Sequence, residues 1–451
     1  MKAYRADVLT FQGQGVEASA HLQRDGYLVV GQSRGSPHPI FLAVGDAAAV
    51  KQQLIDGLGP EGDVDWASIP CEHLPGKILA PGFVDLHVHY PQVDVIGSPA
   101  TGLLPWLENY TFPQEMRFAD PAHCAAVADV FIQELMRHGV TTALAFATSH
   151  PASVNALFER AQQAHMRLIT GKCLMDQHAP EGLRDTTEQS LLDSETLIQR
   201  WHGVDRLGYA LTPRFVPTCS EAQLRGAGEL AARYPSTWIQ SHVAENRDEV
   251  AWVAQLFPKA RSYLSVYEQF GLLRERALYA HGIYLDDADR QLLAQTQAAV
   301  AVSPTSNLFL GSGFFDHAAA ERIPFHYGLA SDVGGGTSFS PFQTMLANFY
   351  AGQASALTTG QRAKSALTPQ HLWWRHTAGA AEALGLGGVV GNLAPGHEAD
   401  FLVLNPQATP LLARRVSQAK NLDELLFAMI VLGDDRLIER TVMAGETRGL
   451  I

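Results

Sequence analysis

Pro81-Gly-Phe-Val-Asp-Leu-His-Val-His89 is the stretch from which the fold can be read. Proline and glycine punctuate its start, and the residues after them read as a strand over Phe83–His89. Strand alternation sends Val84, Leu86 and Val88 to one face and Asp85, His87 and His89 to the other. Two histidines two positions apart are then side by side, roughly 6.5 Å apart along the backbone. Imidazoles at that separation can converge on one ion at about 2.1 Å each. A pair of solvent-facing histidines on an edge strand is the plain alternative, and this stretch alone does not choose between them.

Outward from this strand the chain alternates. Asp120-Pro121 supplies an N-cap and a first-turn proline. Val127, Val130, Phe131 and Leu135 follow at helical spacing, and Gly139 stands where a helix ends. Val140–Ala147 is the next strand, and further strands are expected near 167–174, 207–212, 237–242, 277–281, 299–303 and 327–331. Eight strands alternating with helices over about 300 residues is the count of a (β/α)8 TIM-like barrel, placed here at 80–387. Both chain ends are β-rich. Ala3–Phe11, Val16–Leu22 and Gly26–Val30 at one end, with Asp400–Leu404 and Arg440–Gly445 at the other, suggest one small β-sandwich domain built from 1–79 and 388–451.

Three later strand ends change the meaning of the histidine pair. Trp238-Ile-Gln-Ser-His242 and Ala277-Leu-Tyr-Ala-His281 end on histidine, and Gly328-Leu-Ala-Ser-Asp332 ends on aspartate before Gly334-Gly-Gly336. Residues at C-terminal strand ends of a barrel meet at one mouth, where active sites lie. Four imidazoles and one carboxylate there suit zinc or ferrous iron. Glu245 follows His242 by three residues, just beyond its strand. A bound divalent ion brings the pKa of water to about 7, and a carboxylate beside it can move protons to a leaving amine. A lone loop glutamate is otherwise a solvated surface residue.

The chain has 451 residues, 46% hydrophobic and 18% charged, enough to bury a large core. Its net charge of −13 makes nucleic acid a poor partner. No apolar run approaches the ~18 residues of a membrane span, and the N-terminal residues show no signal-peptide pattern. The four cysteines, Cys71, Cys124, Cys173 and Cys219, are scattered without a CxxC pair. A reduced cytoplasmic setting without disulfides is therefore expected.

With these residues in view, the sequence resembles the guanine deaminases of the amidohydrolase superfamily over nearly its whole length. The resemblance is carried by Pro81–His89, Tyr110-Thr-Phe-Pro113, Thr212-Pro-Arg-Phe215, Gln240–Glu249, Ser303–Asn307, Leu310–Gly313, Ser331–Gly335 and Gly391–Asp400. It implies hydrolytic deamination of guanine to xanthine and ammonia, as in purine catabolism, by a homodimer. It implies His87, His89, His242, His281 and Asp332 as ligands of one divalent ion, zinc or iron, and Glu245 and Asp332 as the proton-moving carboxylates. It places Gln92, Arg214 and Phe215, with His242 and Glu245, against the base. Gln92 can donate and accept along a purine edge, Arg214 can donate to a carbonyl or ring nitrogen, and Phe215 can cover the ring. Ser331 stands where threonine is more usual, and no candidate bridging lysine is found, in keeping with one metal.

Alternatives remain open at this level. A deaminase or chlorohydrolase of the same superfamily acting on a triazine or pterin shares the ligands but not the set Gln92, Arg214 and Phe215. A non-catalytic scaffold would lack the ligands. The other zinc deaminase class needs HxE with PCxxC, whereas Pro70-Cys71 continues as Glu72-His73. Trp106 is a candidate cap of the pocket mouth or a packing residue. His150 and His178 read as supporting or structural residues, and Trp373 and Trp374 as core.

Overall fold

The computed structural model describes residues 1–33, 35–58, 66–99 and 101–448. Four strands open the chain: β1 (Lys2–Gln12), β2 (Ser19–Gly31), β3 (Ile40–Gly45) and β4 (Cys71–Pro81). The middle carries β5 (Phe83–His89), β6 (Val140–Phe146), β7 (Arg167–Gly171), β8 (Cys173–Leu174) and β9 (Leu207–Pro213). It continues with β10 (Trp238–Val243), β11 (Ala277–His281), β12 (Ala299–Val302) and β13 (His326–Leu329). The chain then adds β14 (Phe401–Leu404), β15 (Ile438–Met443) and β16 (Glu446–Arg448).

The middle strands form the expected barrel. They pair in parallel in the order β13-β12-β11-β10-β9-β7-β6-β5, with β8 beside β9 off this path. Between β13 and β5 the seam is closed just past the end of β13: Asp332 N–H donates to the His87 carbonyl at 2.8 Å, and His89 N–H to the Val333 carbonyl at 2.7 Å. The barrel interior is an apolar cluster drawn from its strands, including Val84, Leu86, Leu144, Ile169, Ala210, Leu278 and Ala301. Helix Ala378–Ala383 supplies Ala380, Ala381 and Ala383 to the same cluster. Outward-facing residues such as Val88, Ala143, Tyr209 and Val300 join the larger core beneath the surrounding helices.

Helix Pro121–Arg137 shows how the sequence sets one wall. The Asp120 side chain accepts from Ala122 N–H, and Gly139 takes the left-handed conformation, φ 73°, that ends the helix. Val127, Phe131 and Leu135 are buried as the spacing predicts. Val130 is 47% exposed: it lies on the far flank of the helix from the stripe formed by those three.

The chain ends meet in one seven-stranded sheet, ordered β16-β15-β14-β4-β1-β2-β3. In a flat sheet β3 and β14 would be about 19 Å apart at the usual strand spacing. Instead the rings of Phe41 and Phe401 lie 6.1 Å apart, and Ile40 bridges to Glu398. The sheet therefore folds over on itself around Tyr4, Leu28, Phe41, Leu79, Phe401 and Val442. Separate strands over Val16–Leu22 and Gly26–Val30 are not found. Gly15–Glu17 is a short 3-10 turn, and β2 runs unbroken because a bulge opposite Ala6–Val8 keeps it paired with β1 across Gln23–Asp25. The expected C-terminal limit at 451 lies outside the described residues. All four cysteines are unpaired. Among the described residues, no helix is long and apolar enough to cross a membrane.

A buried ionic cluster joins the barrel to this sheet. Arg206 donates to the Glu398 carboxylate at 2.9 Å, to the Asp400 carboxylate and to the His165 carbonyl at 2.7 Å. Arg167 also donates to Glu398, at 3.0 Å. Removing one member of a buried ion pair leaves an uncompensated charge and costs about 3–5 kcal/mol. Arg206→Ala is expected to lose stability of that order, read as a lower urea midpoint at unchanged m-value.

Candidate active site

The bulge in β5 makes the site possible. Register with β6 slips between Asp85 and Val88, so strict alternation fails. Leu86 lies in the barrel interior and Val88 in the outer core. The sequence expectation of Val84, Leu86 and Val88 on one face is thus not met, because the extra residue re-aims the strand. Its partner is Asp85, whose carboxylate accepts from the N–H groups of His87 at 3.2 Å and Ser331 at 3.0 Å.

At the mouth the five predicted ligands come together. His87 Nε2 lies 3.1 Å from His89 Nε2 and 3.1 Å from Asp332 Oδ1. His89 Nε2 is 3.3 Å from both Asp332 Oδ1 and His242 Nε2. His281 Nε2 lies 3.8 Å from Asp332 Oδ2 and 3.3 Å from Glu245 Oε2. His281 ends β11 and His242 lies one residue before the end of β10, whereas Asp332 lies three residues past β13, in the loop that closes the seam. His281 and Asp332, with φ 74° and 51°, hold left-handed backbone conformations of the kind that cluster at functional sites. A Cβ at Gly336 would fall 1.8 Å from the Ser331 carbonyl oxygen, which explains why the loop after Asp332 must turn on glycine.

The donor atoms fit a divalent ion. His242 Nδ1 lies 2.6 Å from the Arg214 carbonyl and His281 Nδ1 2.9 Å from Asn307 Oδ1. Each Nδ1 therefore carries the proton, and each Nε2 turns a lone pair toward the cluster. Burial pushes His89 down to about 4 and His242 well below the ordinary histidine value, which keeps both rings neutral. Lone pairs facing one another at these distances repel unless a cation stands among them. The set of imidazoles and one carboxylate matches zinc or iron.

Glu245, two residues past β10, is buried beside this cluster and accepts from Ser312 Oγ at 3.0 Å. Burial, with the Asp332 carboxylate adding to it, pushes its pKa up to about 8. A raised carboxyl pKa suits a group that carries protons to and from a substrate. Glu249, one helical turn on, accepts from the N–H groups of Glu245 at 3.0 Å and Asn246 at 3.2 Å, anchoring the loop.

A cavity opens on the cluster. Its wall includes Gln92, Trp106, Arg214, Phe215 and Glu245 together with His89, His242, His281 and Asp332. All the residues expected against a base therefore share the mouth with the ligands. Trp106 belongs to this wall, with its indole N–H buried and without a partner among the described residues. His178 instead turns Nδ1 to the Pro217 carbonyl, and neither it nor His150 lines the cavity. Sequence reading gave no role to Glu115, Asn307 or Ser312. Glu115 is fully buried and binds Arg214 through both carboxylate oxygens, at 2.6 and 3.0 Å. The available signal was that a buried arginine needs a counter-charge.

The fold and this centre define a metal-dependent hydrolase, and the chain belongs to the amidohydrolase family, whose model matches residues 78–448. Within that family it is similar in sequence to guanine deaminases. It is 44% identical to the guanine deaminase of Escherichia coli over 370 residues, 82% of each chain. The solved E. coli guanine deaminase superposes with a TM-score of 0.90 at 38% identity, covering 100% of this chain and 99% of that one. A guanine deaminase from C. acetobutylicum with guanine in its active site gives 0.87 at 27% identity, covering 99% of each.

Groups that orient metal-bound histidines typically contribute about 10–100-fold to metal affinity. Asn307→Ala is expected to weaken metal retention by that factor, measured by competition with a chelator. An unchanged affinity would show that His281 needs no such support.

Proposed function

We propose that this chain deaminates guanine hydrolytically, giving xanthine and ammonia, with His87, His89, His242, His281 and Asp332 holding one zinc ion. The observation that carries this reading is the shared cavity: the hydrogen-bonding groups of Gln92 and Arg214 and the ring of Phe215 lie beside the ligand cluster and Glu245. When bound, the ion acts as a Lewis acid and lowers the pKa of water to about 7.

The residues of the chain do the rest. Arg214 and Gln92 hold the polar edge of the base, and Phe215 covers its face. Glu245 hands its proton to the ring nitrogen next to the amino-bearing carbon. The water oxygen bonds to that carbon and the carbon–amine bond breaks. Overall, one proton of the water leaves on ammonia and the other remains on the product's ring nitrogen. Asp332 orients the attacking water, and Glu245 carries the returning proton to the amine. The four imidazoles and one carboxylate suit zinc and admit ferrous iron as well.

The same reading makes the protein a cytoplasmic homodimer. Four unpaired cysteines support a reducing compartment, and the resemblance to the guanine deaminases supports the dimer.

A steady-state assay against a panel of amino-heterocycles should show guanine converted to xanthine. Turnover of another base with guanine inert would overturn the substrate. Glu245→Gln should lower kcat by about 10²–10⁴-fold, the usual contribution of a positioned acid–base group, with metal content unchanged.

A further inference from the structure

Arg214 reaches the cavity already engaged. Its NH1 and NH2 groups donate to Glu115 Oε2 and Oε1 at 2.6 and 3.0 Å, a two-pronged, charge-assisted pairing. Glu115 Oε1 also accepts from Gln92 Nε2 at 3.1 Å. The other end of that amide is held as well, since Gln92 Oε1 accepts from Gly334 N–H at 3.2 Å. The Phe112 ring lies 5.4 Å from the guanidinium carbon. All three side chains are at least nine-tenths buried, and Arg214 and Gln92 line the cavity while Glu115 lies behind them.

Two consequences follow from this wiring. The positive charge of Arg214 is neutralised from behind, so the wall presents N–H donors without net charge. Such a wall suits an uncharged base and gives no advantage to a phosphate-bearing nucleotide. The Gln92 amide cannot flip, because Nε2 has an acceptor on one side and Oε1 a donor on the other. Donors held this way donate to a ring oxo group and oppose an amino group in its place. Sites built to hydrogen-bond one substrate atom can reject an analogue lacking it by up to about 10⁴–10⁵.

We propose that Glu115 is the positioning residue for base selection: its carboxylate clamps Arg214 and Gln92 into one fixed, charge-compensated donor array that reads an oxo group on the substrate. This rests on the guanine reading above, which supplies the oxo-bearing base. Glu115 does not line the cavity, and it acts through the two residues it holds.

The test compares guanine with 2-aminopurine, which keeps the reacting amino group and lacks the oxo group. In Glu115→Gln, kcat/KM for guanine should fall by about 100-fold, while 2-aminopurine changes by less than about 3-fold, so the preference collapses. Glu115→Asp keeps the charge and should fall between the two. In an Arg214→Ala chain, adding Glu115→Gln should cost far less than it does alone, since partners in one network are not additive. Equal losses on both substrates, in Glu115→Gln or in Glu115→Asp, would mean a merely structural role and overturn the proposal. So would an unchanged preference. An unsubstituted chain that fails to convert guanine would instead overturn the guanine reading.

Discussion

Two backbone hydrogen bonds, Asp332 N–H to the His87 carbonyl and His89 N–H to the Val333 carbonyl, bind the barrel's last seam to its active site. The residues that close the cylinder are the residues that offer ligands. Ring closure and ligand geometry are consequently one constraint. The left-handed backbone at Asp332 and His281 persists because the closed barrel fixes the chain on both sides of each residue. The β5 bulge serves the same constraint: it turns His87 and His89 to the mouth while Val84 and Leu86 still fill the interior beneath them.

Around that seam the structure manages buried charge in two ways. Where rigidity is needed, the charge is paired: Glu115 with Arg214 behind the cavity wall, and Glu398 and Asp400 with Arg206 between barrel and sheet. Where chemistry is needed, a carboxyl group is left without a cation of its own. Glu245 has a hydroxyl donor from Ser312 and a neighbouring carboxylate, and burial raises its pKa above the ordinary carboxyl range. Two carboxyl groups on the same side of the barrel thus differ in role because their neighbours differ in charge.

Much of this was legible in the sequence. Regular strand–helix alternation exposed the barrel. The ligands were legible because they recur at strand ends, which topology brings to one mouth. What stayed hidden was non-periodic. The β5 bulge leaves no mark in the pattern of Val84, Leu86 and Val88, because every residue of that strand is buried. Val130 fits a helical spacing yet lies on the flank away from the buried stripe. Glu115 stands near the end of a short helix, where a glutamate reads as solvated; only the folded chain shows the arginine 99 positions away that it faces. The join of β2 across Gln23–Asp25 depends on pairing with β1, information that local sequence does not hold.

The sheet built from both ends also sets an order of events during synthesis. In the finished sheet β4 lies between β1 and β14. Roughly 320 residues separate Pro81 from Phe401, and at about 5–20 residues per second their translation takes roughly 16–64 s. Through that interval β4 has an open edge with no β14 to cover it, a template on which another nascent chain could pair. A chain cut short anywhere before residue 401 would keep that edge permanently. The late strands therefore act as a seal on the N-terminal part, and intact C-terminal sequence matters to solubility as well as to shape.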